Sequence, residues 1–518
     1  MKKINLIYKS MLAVAVLTLA SCADIDLNPH DQLSEGTFWQ VESDAELALT
    51  GMYDQLKAGE PWGQNSFLNS FSLPALDAAT DNAYTQHNRL GLKNAMITPF
   101  NSQTSGIVTD FYGIAYKQIA SSNYFLDNVD NIEGVDAAKM NRWKGEARFF
   151  RGMMYFFLSE FYGGVPIVTT AYQLGSDLPP RASKADVVAQ ATSDLDFAIA
   201  NIEDKPYDGR VGKAAAQALK VRLLMANQNW SEAASLANTI INSNTFDLAT
   251  SFSSLFTAPE QDGNPEIMFS IKYLVPNDEH IGSLNWGWWL SVTPLANFVD
   301  DFEMDNGLPI TDPASGFDPD NPYANRDPRM SETVDHLGSV FGFPGEYGGV
   351  PYIWDEGNRG LPAPLMYNLR KYADRTFQNS VDAANHCDTD YVILRFGEVL
   401  LNYAEAQNEA SGPDASVYNA VNRIRNRAGM PDLAAGLSQS EMRDAIRHER
   451  RVELAFEGIR WFDLKRWGTL VARVSTVDAT QVPVPYIISS NNDLWPIPQY
   501  EIDYYSARGQ ELGQNPGY

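Results

Sequence analysis

Apolar residues recur every three or four positions through two long blocks of this chain, a spacing that paired helices satisfy and strands do not. From Ser43 to Leu56 the stripe is Ala45, Leu49, Met52 and Leu56. From Lys144 to Tyr162 it is Ala147, Phe150, Met154, Phe157 and Phe161, and it stops at Gly163-Gly164 before Val165-Pro166. Ser183-x-x-Asp186 is a capping box with Asp in place of Glu, and it opens a helix through Val188, Ala191, Leu195 and Ala198. Ala214 to Ala226 and Trp230 to Ile241 form a pair around Asn227-Gln228-Asn229. Their small residues (Ala214, Ala218, Ala226, Ala233, Ala237) suit tetratricopeptide-type units, on a period too irregular for a regular array. Helix returns over Phe396 to Asn408, Ala415 to Ala428, and Glu441 to about Trp461, the last opened by the capping box Ser438-x-x-Glu441. Trp495-Pro496-Ile497-Pro498 cannot continue a helix.

Between the two helical blocks, from about Ser251 to Asp390, no long stripe survives. This stretch is rich in Gly, Pro, Asn, Asp and aromatics, and long loops on a rigid scaffold tend to carry function. The N-terminus has a different logic. Lys2 and Lys3 precede an apolar run, Met11 to Leu19, that ends Leu19-Ala20-Ser21-Cys22. A charged start, a short apolar core and small residues before the cut make a secretory signal, and the closing cysteine makes a lipobox with Cys22 as the acylated residue. Asp24 and Asp26 follow. From about Asp24 to Thr37 the chain is polar and carries Pro29, as a tether would. Nothing after Leu19 approaches the ~20 apolar residues that a membrane span needs. The formal charge is −26, and loss of Lys2, Lys3 and Lys9 with the signal takes it to −29. Such a surface repels nucleic acid and anionic headgroups. With Cys22 acylated, Cys387 has no cysteine left to pair with, so disulfides do not stabilise the fold.

The acidic and metal-ligating residues offer little catalysis. Glu449, Glu453 and Glu457 share one helix face, and paired carboxylates can do glycosidic chemistry at the right separation. Arg447, Arg450, Arg451, Arg460 and Arg466 surround them in sequence, which favours structural ion pairs. The six histidines are scattered, and His448-Glu449 lacks the second histidine of a zinc-protease motif. Asp301-x-Glu303-x-Asp305-Asn306-Gly307 resembles a calcium loop with its glycine one place late. No metal, cofactor or catalytic residue is expected.

Aromatic residues in loops are the stronger lead. Trp286-Gly287-Trp288-Trp289 places three of the 11 tryptophans within four positions, beside Asn285. Indole faces are broad apolar platforms for the C–H faces of sugars, while nearby amides and acids bond hydroxyls. In an extended segment Trp286 and Trp288 point one way and Trp289 the other. Trp62, between Pro61 and Gly63, and Tyr84, beside Asp81-Asn82, are further candidates. Trp354, with Asp355 and Glu356, is a weaker one. Trp461, Trp467 and Trp495 are expected in the core.

Several blocks resemble the SusD/RagB family of outer-membrane nutrient-binding lipoproteins. They are Gly145-Glu146-Ala147-Arg148-Phe149-Phe150-Arg151 through Val165-Pro166, Asn325-Arg326-Asp327-Pro328-Arg329, Leu394-Arg395-Phe396-Gly397-Glu398, and Arg447 through Gly468. The closing Gln514-Asn515-Pro516-Gly517-Tyr518 agrees. The resemblance implies a mainly α fold: tetratricopeptide-like helix pairs packed on a loop-rich portion, with little β structure. It divides the chain into a signal peptide (1–21), a lipid-anchored tether (22–40), an N-terminal helical part (41–250), a loop-rich part (251–390) and a C-terminal helical part (391–518). It implies a partner, a TonB-dependent (SusC-like) barrel, and a location, the outer membrane facing the exterior through lipid at Cys22. The implied task is capture of oligosaccharides or polysaccharide and delivery to that barrel. Family members place one binding aromatic in the N-terminal loops and others in the later loops, which suits Trp62, Tyr84 and Trp286–Trp289, with Asp81, Asn82 and Asn285 orienting hydroxyls. A peptide-binding member of the family is the rival reading, and a surface glycoside hydrolase a more distant one.

Overall fold

The longest apolar stripe of the sequence becomes the longest helix of the computed structural model. It describes residues 38–57, 72–85, 91–104, 106–173, 175–258, 260–283, 286, 291–341, 352–353, 366–373, 386–477 and 480–518. The signal peptide, Cys22 and most of the tether lie outside the described residues, as do Trp62, Asn285, Trp288, Trp289 and Trp354. Trp39, inside the expected tether, is buried with its ring edge against Phe125 at 5.5 Å. No helix among the described residues is long and apolar enough to cross a membrane.

The first helical block comprises α1 (Glu42–Gln55), α2 (Ile107–Asn128), α3 (Ala137–Phe161), α4 (Lys184–Asn201), α5 (Lys213–Ala226) and α6 (Trp230–Ser243). Helix α2 lies outside the stripes identified in the sequence, although Phe111, Ala115, Ile119 and Phe125 are buried along it. Helix α3 starts seven residues before its stripe. Asp136 caps it, accepting from the amides of Ala138 (2.9 Å) and Lys139 (3.2 Å). Each helix packs on the next, α2 on α3, α3 on α4, α4 on α5 and α5 on α6. The approach of α3 to α4 needs Gly152, where a Cβ would lie 3.2 Å from Leu195 Cγ and 3.3 Å from the Ala191 carbonyl oxygen. Beside it the buried Arg151 binds Asp194 through Nε (2.8 Å) and Nη2 (2.6 Å), while Nη1 donates to Asn123 (2.7 Å). One guanidinium thus ties α2, α3 and α4 together.

The loop-rich stretch interrupts this stack without ending it. It leaves along β2 (Ile267–Ile271) and returns along β4 (Tyr391–Arg395), and these two strands pair antiparallel. Helix α8 (Phe396–Ser411) then packs against α6, so the stack continues across an insertion of about 150 residues, and α9 (Ala415–Arg427) and α10 (Gln439–Glu453) pack on α8. Within the insertion the described residues form only short elements. These include β3 (Thr293–Pro294), which pairs with β1 (Ala83–Tyr84), and α7 (Ala296–Asp300). Among the described residues 50% are helix and 6% strand, a mainly α fold.

The helix expected over Glu441 to Trp461 is in fact two, α10 and α11 (Arg460–Arg466), followed by α12 (Leu470–Val474). The break lies at Phe456 (φ 61°) and Gly458 (φ 73°). Left-handed backbone is costly for phenylalanine, and tertiary contacts hold it. The Phe456 amide donates to Asp77 Oδ2 (2.9 Å) and its ring packs edge-on against Phe298 at 5.5 Å. The C-terminal tail closes the fold by returning to the end of α3. Trp495 stacks on Phe161 at 3.9 Å, and Asn515 donates to the carbonyls of Tyr162 (3.0 Å) and Trp495 (2.7 Å).

Candidate functional site

Glu449 and Glu453, on one face of α10, and Glu457 in the turn that follows are all buried. Glu449 accepts from Arg329 (2.5 Å) and Arg425 (3.0 Å). Glu453 accepts from Arg329 (2.9 Å), Arg395 (2.7 Å) and Arg427 (2.5 Å). Glu457 accepts from Arg395 (2.7 Å) and Lys371 (2.5 Å). Burial alone would raise the Glu453 carboxyl, but Arg427, Arg395 and Arg329 outweigh it and hold it well below the usual carboxylate range. Burial likewise opposes Glu457, and Arg395 with Lys371 keeps it low. Burial lowers the Lys371 ammonium to about 8 despite Glu457, so the pair remains ionised at neutral pH. A general acid needs a raised pKa and a path to substrate; Glu453 and Glu457 are shifted the other way, and all three carboxylates are buried among cations.

The cations of this network come from the insertion and from α9, not from the arginines adjacent in sequence. Arg450 and Arg466 instead bind Asp463, and Arg451 and Arg460 bind Asp81. Gly397 makes room for the network, since a Cβ there would come within 2.5 Å of Arg395 Nη1 and 2.6 Å of Glu266 Oε1. Asp301 and Glu303, the first acids of the calcium-like run, are taken by Arg451 and Arg425. No cluster of potential metal ligands occurs among the described residues.

The segments that follow the two loop zones pair with each other. Strand β1 follows residues 58–71 by a short helical turn, β3 follows residues 284–290 directly, and the two strands pair through Ala83–Pro294 and Tyr84–Thr293. The residues proposed here as the binding surface are nevertheless buried. Trp286 is 0% exposed, as are Asp81 and Asn82, and Tyr84 is 3% exposed. Asp81 receives Arg460 through two bonds of 2.9 Å and Arg473 Nε at 2.8 Å. Burial would raise its carboxyl, yet Arg451, Arg460 and Arg473 hold it far below the usual range. Asn82 donates to Asp77 (2.9 Å) and accepts from Arg451 (2.9 Å). Tyr84 packs with Leu295, Val477 and Val482, and its ring stacks on Tyr486 at 6.4 Å. Asp81, Asn82 and Tyr84 therefore brace the ladder and Trp286 lies in the main core, so all four are buried. Polar and aromatic residues beside a loop looked like a surface, and long-range partners bury them instead. Tyr486 was the missed member: its hydroxyl donates to the Ala83 carbonyl (2.7 Å) from 403 residues away, a contact no local pattern marks.

Trp461 and Trp495 are core, as expected, but Trp467 is only partly buried and lines a cavity. A separate groove of about 500 Å³ runs between α1 and β2, edged by Lys57, Asp54, Asp278 and Lys272. Its charges pair locally, Lys57 with Asp54 and Asp278, and Lys272 with Asp262. The Tyr53 hydroxyl below it is bonded to Glu146 at 2.6 Å.

A mainly helical scaffold that ion-pairs the buried carboxylates of α10 is the framework of a binding protein. The comparisons with known proteins agree. The profile of the SusD family matches residues 259–518, and that described as starch-binding associating with outer membrane matches residues 26–225. The chain belongs to the SusD family of outer-membrane-associated nutrient-binding proteins. It is 27% identical to SusD-like protein P2 of Formosa agariphila over 99% of both chains. It is 24% identical to the starch-binding protein SusD of Bacteroides thetaiotaomicron over 98% of both. Among solved structures, a SusD-like carbohydrate-binding protein of Bacteroides fragilis superposes with a TM-score of 0.78 at 26% identity, covering 90% of this chain and 99% of that one.

Proposed function

We propose that this chain is a lipid-anchored protein of the cell surface that captures oligosaccharides and passes them to a TonB-dependent barrel in the outer membrane. The observation that supports this reading is the β1–β3 ladder, which pairs the segments following the Trp62-bearing and Trp288-bearing stretches of a SusD-family chain. With Asp81, Asn82, Tyr84 and Trp286 as its buried support, the ligand contacts fall to Trp62, Asn285, Trp288 and Trp289. Lipid at Cys22 keeps the protein at the membrane, and the acidic residues after it accord with export to the outer face.

Isothermal titration of the mature chain, residues 23–518, against a panel of oligosaccharides tests the reading. One glycan class should give saturable heat, and Trp288→Ala/Trp289→Ala should weaken it by roughly tenfold or more with the helical circular dichroism unchanged. Heat from peptides and from no glycan would overturn it. Glycan binding that survives the double substitution would keep the function and move the site.

A further inference from the structure

Against a chain charge of −26, one cavity is rich in arginine. It encloses about 250 Å³ between α10, α11, α12 and the end of α7, and its walls include Arg447, Arg451, Arg460, Arg473, Trp467 and Asp301. The charges here do not close as they do around Glu453. Asp81 lies beneath the wall, and Arg451 is fully engaged with Asp81, Asn82, Asp301 and the Asn297 carbonyl. Among the described residues Arg460 uses only Nε and Nη2, on Asp81. Arg473 uses only Nε among them, and 44% of its side chain is exposed. Arg447 meets no carboxylate among the described residues. Its guanidinium lies 4.6 Å from the Trp467 ring centre, and its buried Nε makes no hydrogen bond. The remaining wall carboxylate, Asp444, is exposed at the rim, where water and salt screen it.

Arg447, Arg460 and Arg473 thus line a recess partly shielded from water, and each keeps guanidinium N–H groups that no described carboxylate takes. Guanidinium forks of this kind bind planar or tetrahedral oxyanions through charge-assisted hydrogen bonds. The recess adjoins the segments that form the ladder: Asp81 lies two residues before β1, and Asp301 immediately follows α7, the helix after β3. We infer that this recess is an anion subsite of the ligand site, in which Arg447, Arg460 and Arg473 hold an acidic group carried by a sugar. The inference rests on the glycan-binding reading above and narrows it to acidic oligosaccharides. The same N–H groups would take the carboxylate of a uronic acid or the sulfate ester of a sulfated sugar.

Matched titrations of the mature chain separate the two sources. One pair is an oligogalacturonate and its methyl ester, the other a sulfated galactan oligosaccharide and its desulfated form, at about 50 mM salt, where such contacts are strong. At least one acidic member should bind about tenfold more tightly than its neutral counterpart, a difference of about 1.4 kcal/mol. The pair that shows the preference names the acidic group. In Arg447→Gln/Arg473→Gln the two members should bind within about twofold of each other. Should the double variant fail to fold, Arg473→Gln alone, at a half-exposed position, should cut the preference by about threefold. Equal binding of acidic and neutral members, or a preference that survives the substitutions, overturns the anion subsite and leaves the glycan reading intact. Binding of acidic peptides with no heat from any glycan overturns both.

Discussion

Two arginine-rich regions lie on opposite sides of helix α10 and do opposite work. Around Glu453, the buried carboxylates Glu449, Glu453 and Glu457 each meet two or three cations, and their charges close on one another. Around Asp81, three guanidinium groups converge on one carboxylate, a fourth stands apart, and several N–H groups face a cavity. The first arrangement fixes how the insertion sits on the helices. The second keeps polar capacity in reserve near the segments that form the β1–β3 ladder. A cluster of charges therefore reads as structure or as site according to whether its hydrogen bonds are already complete, and its prominence in the sequence does not decide.

The comparison breaks first at Arg395. Arg395→Ala leaves Glu266, Glu453 and Glu457 buried with too few cations and should cost roughly 3–5 kcal/mol, read as a lower urea midpoint. A loss below about 1 kcal/mol would show that the closed network does not hold the fold. The next effect has the opposite sign. Burial raises the Asp77 carboxyl to about 6 from 3.8, in spite of bonds from Asn82 and Phe456. The fold thus favours the protonated acid, so this contribution to stability is complete below pH 4 and is lost as the pH rises through 6. Asp77→Asn, which cannot ionise, should stabilise the protein at pH 7 by about 2 kcal/mol and lose that advantage by pH 4 in paired urea titrations. The smallest effect is expected at the open region. Arg473→Gln should shift stability by less than about 1 kcal/mol, because the side chain is half exposed and Asp81 keeps Arg451 and Arg460. A larger loss would make Arg473 part of the frame and not of a site.

Helix pairing was legible wherever a local rule decided it. The stripe through Phe150 and Phe157 and the boxes at Ser183 and Ser438 mark real helices, because periodicity and capping act within a few residues. Distant contacts defeated the same rules at Phe456, where Asp77 and Phe298 hold a left-handed residue inside an apparently continuous stripe. The ion pairs around Glu449, Glu453 and Glu457 were expected, but their partners were not. Neighbouring arginines were the visible choice, whereas Arg329 and Arg395 arrive from more than 50 residues away. The candidate site followed the same division. Its two zones could be named from aromatic content. The inward turn of Tyr84 and Trp286 depends on Tyr486, Val482 and the core, which no spacing rule supplies.

Hydrogen exchange of the mature chain, alone and saturated with the glycan that titrates, tests the central claim most directly. The account predicts slower exchange in residues 81–85, 291–301 and 469–474, with residues 266–272 and 391–395 unchanged. Protection confined to the groove between α1 and β2, with the ladder and the arginine recess unaffected, would contradict it.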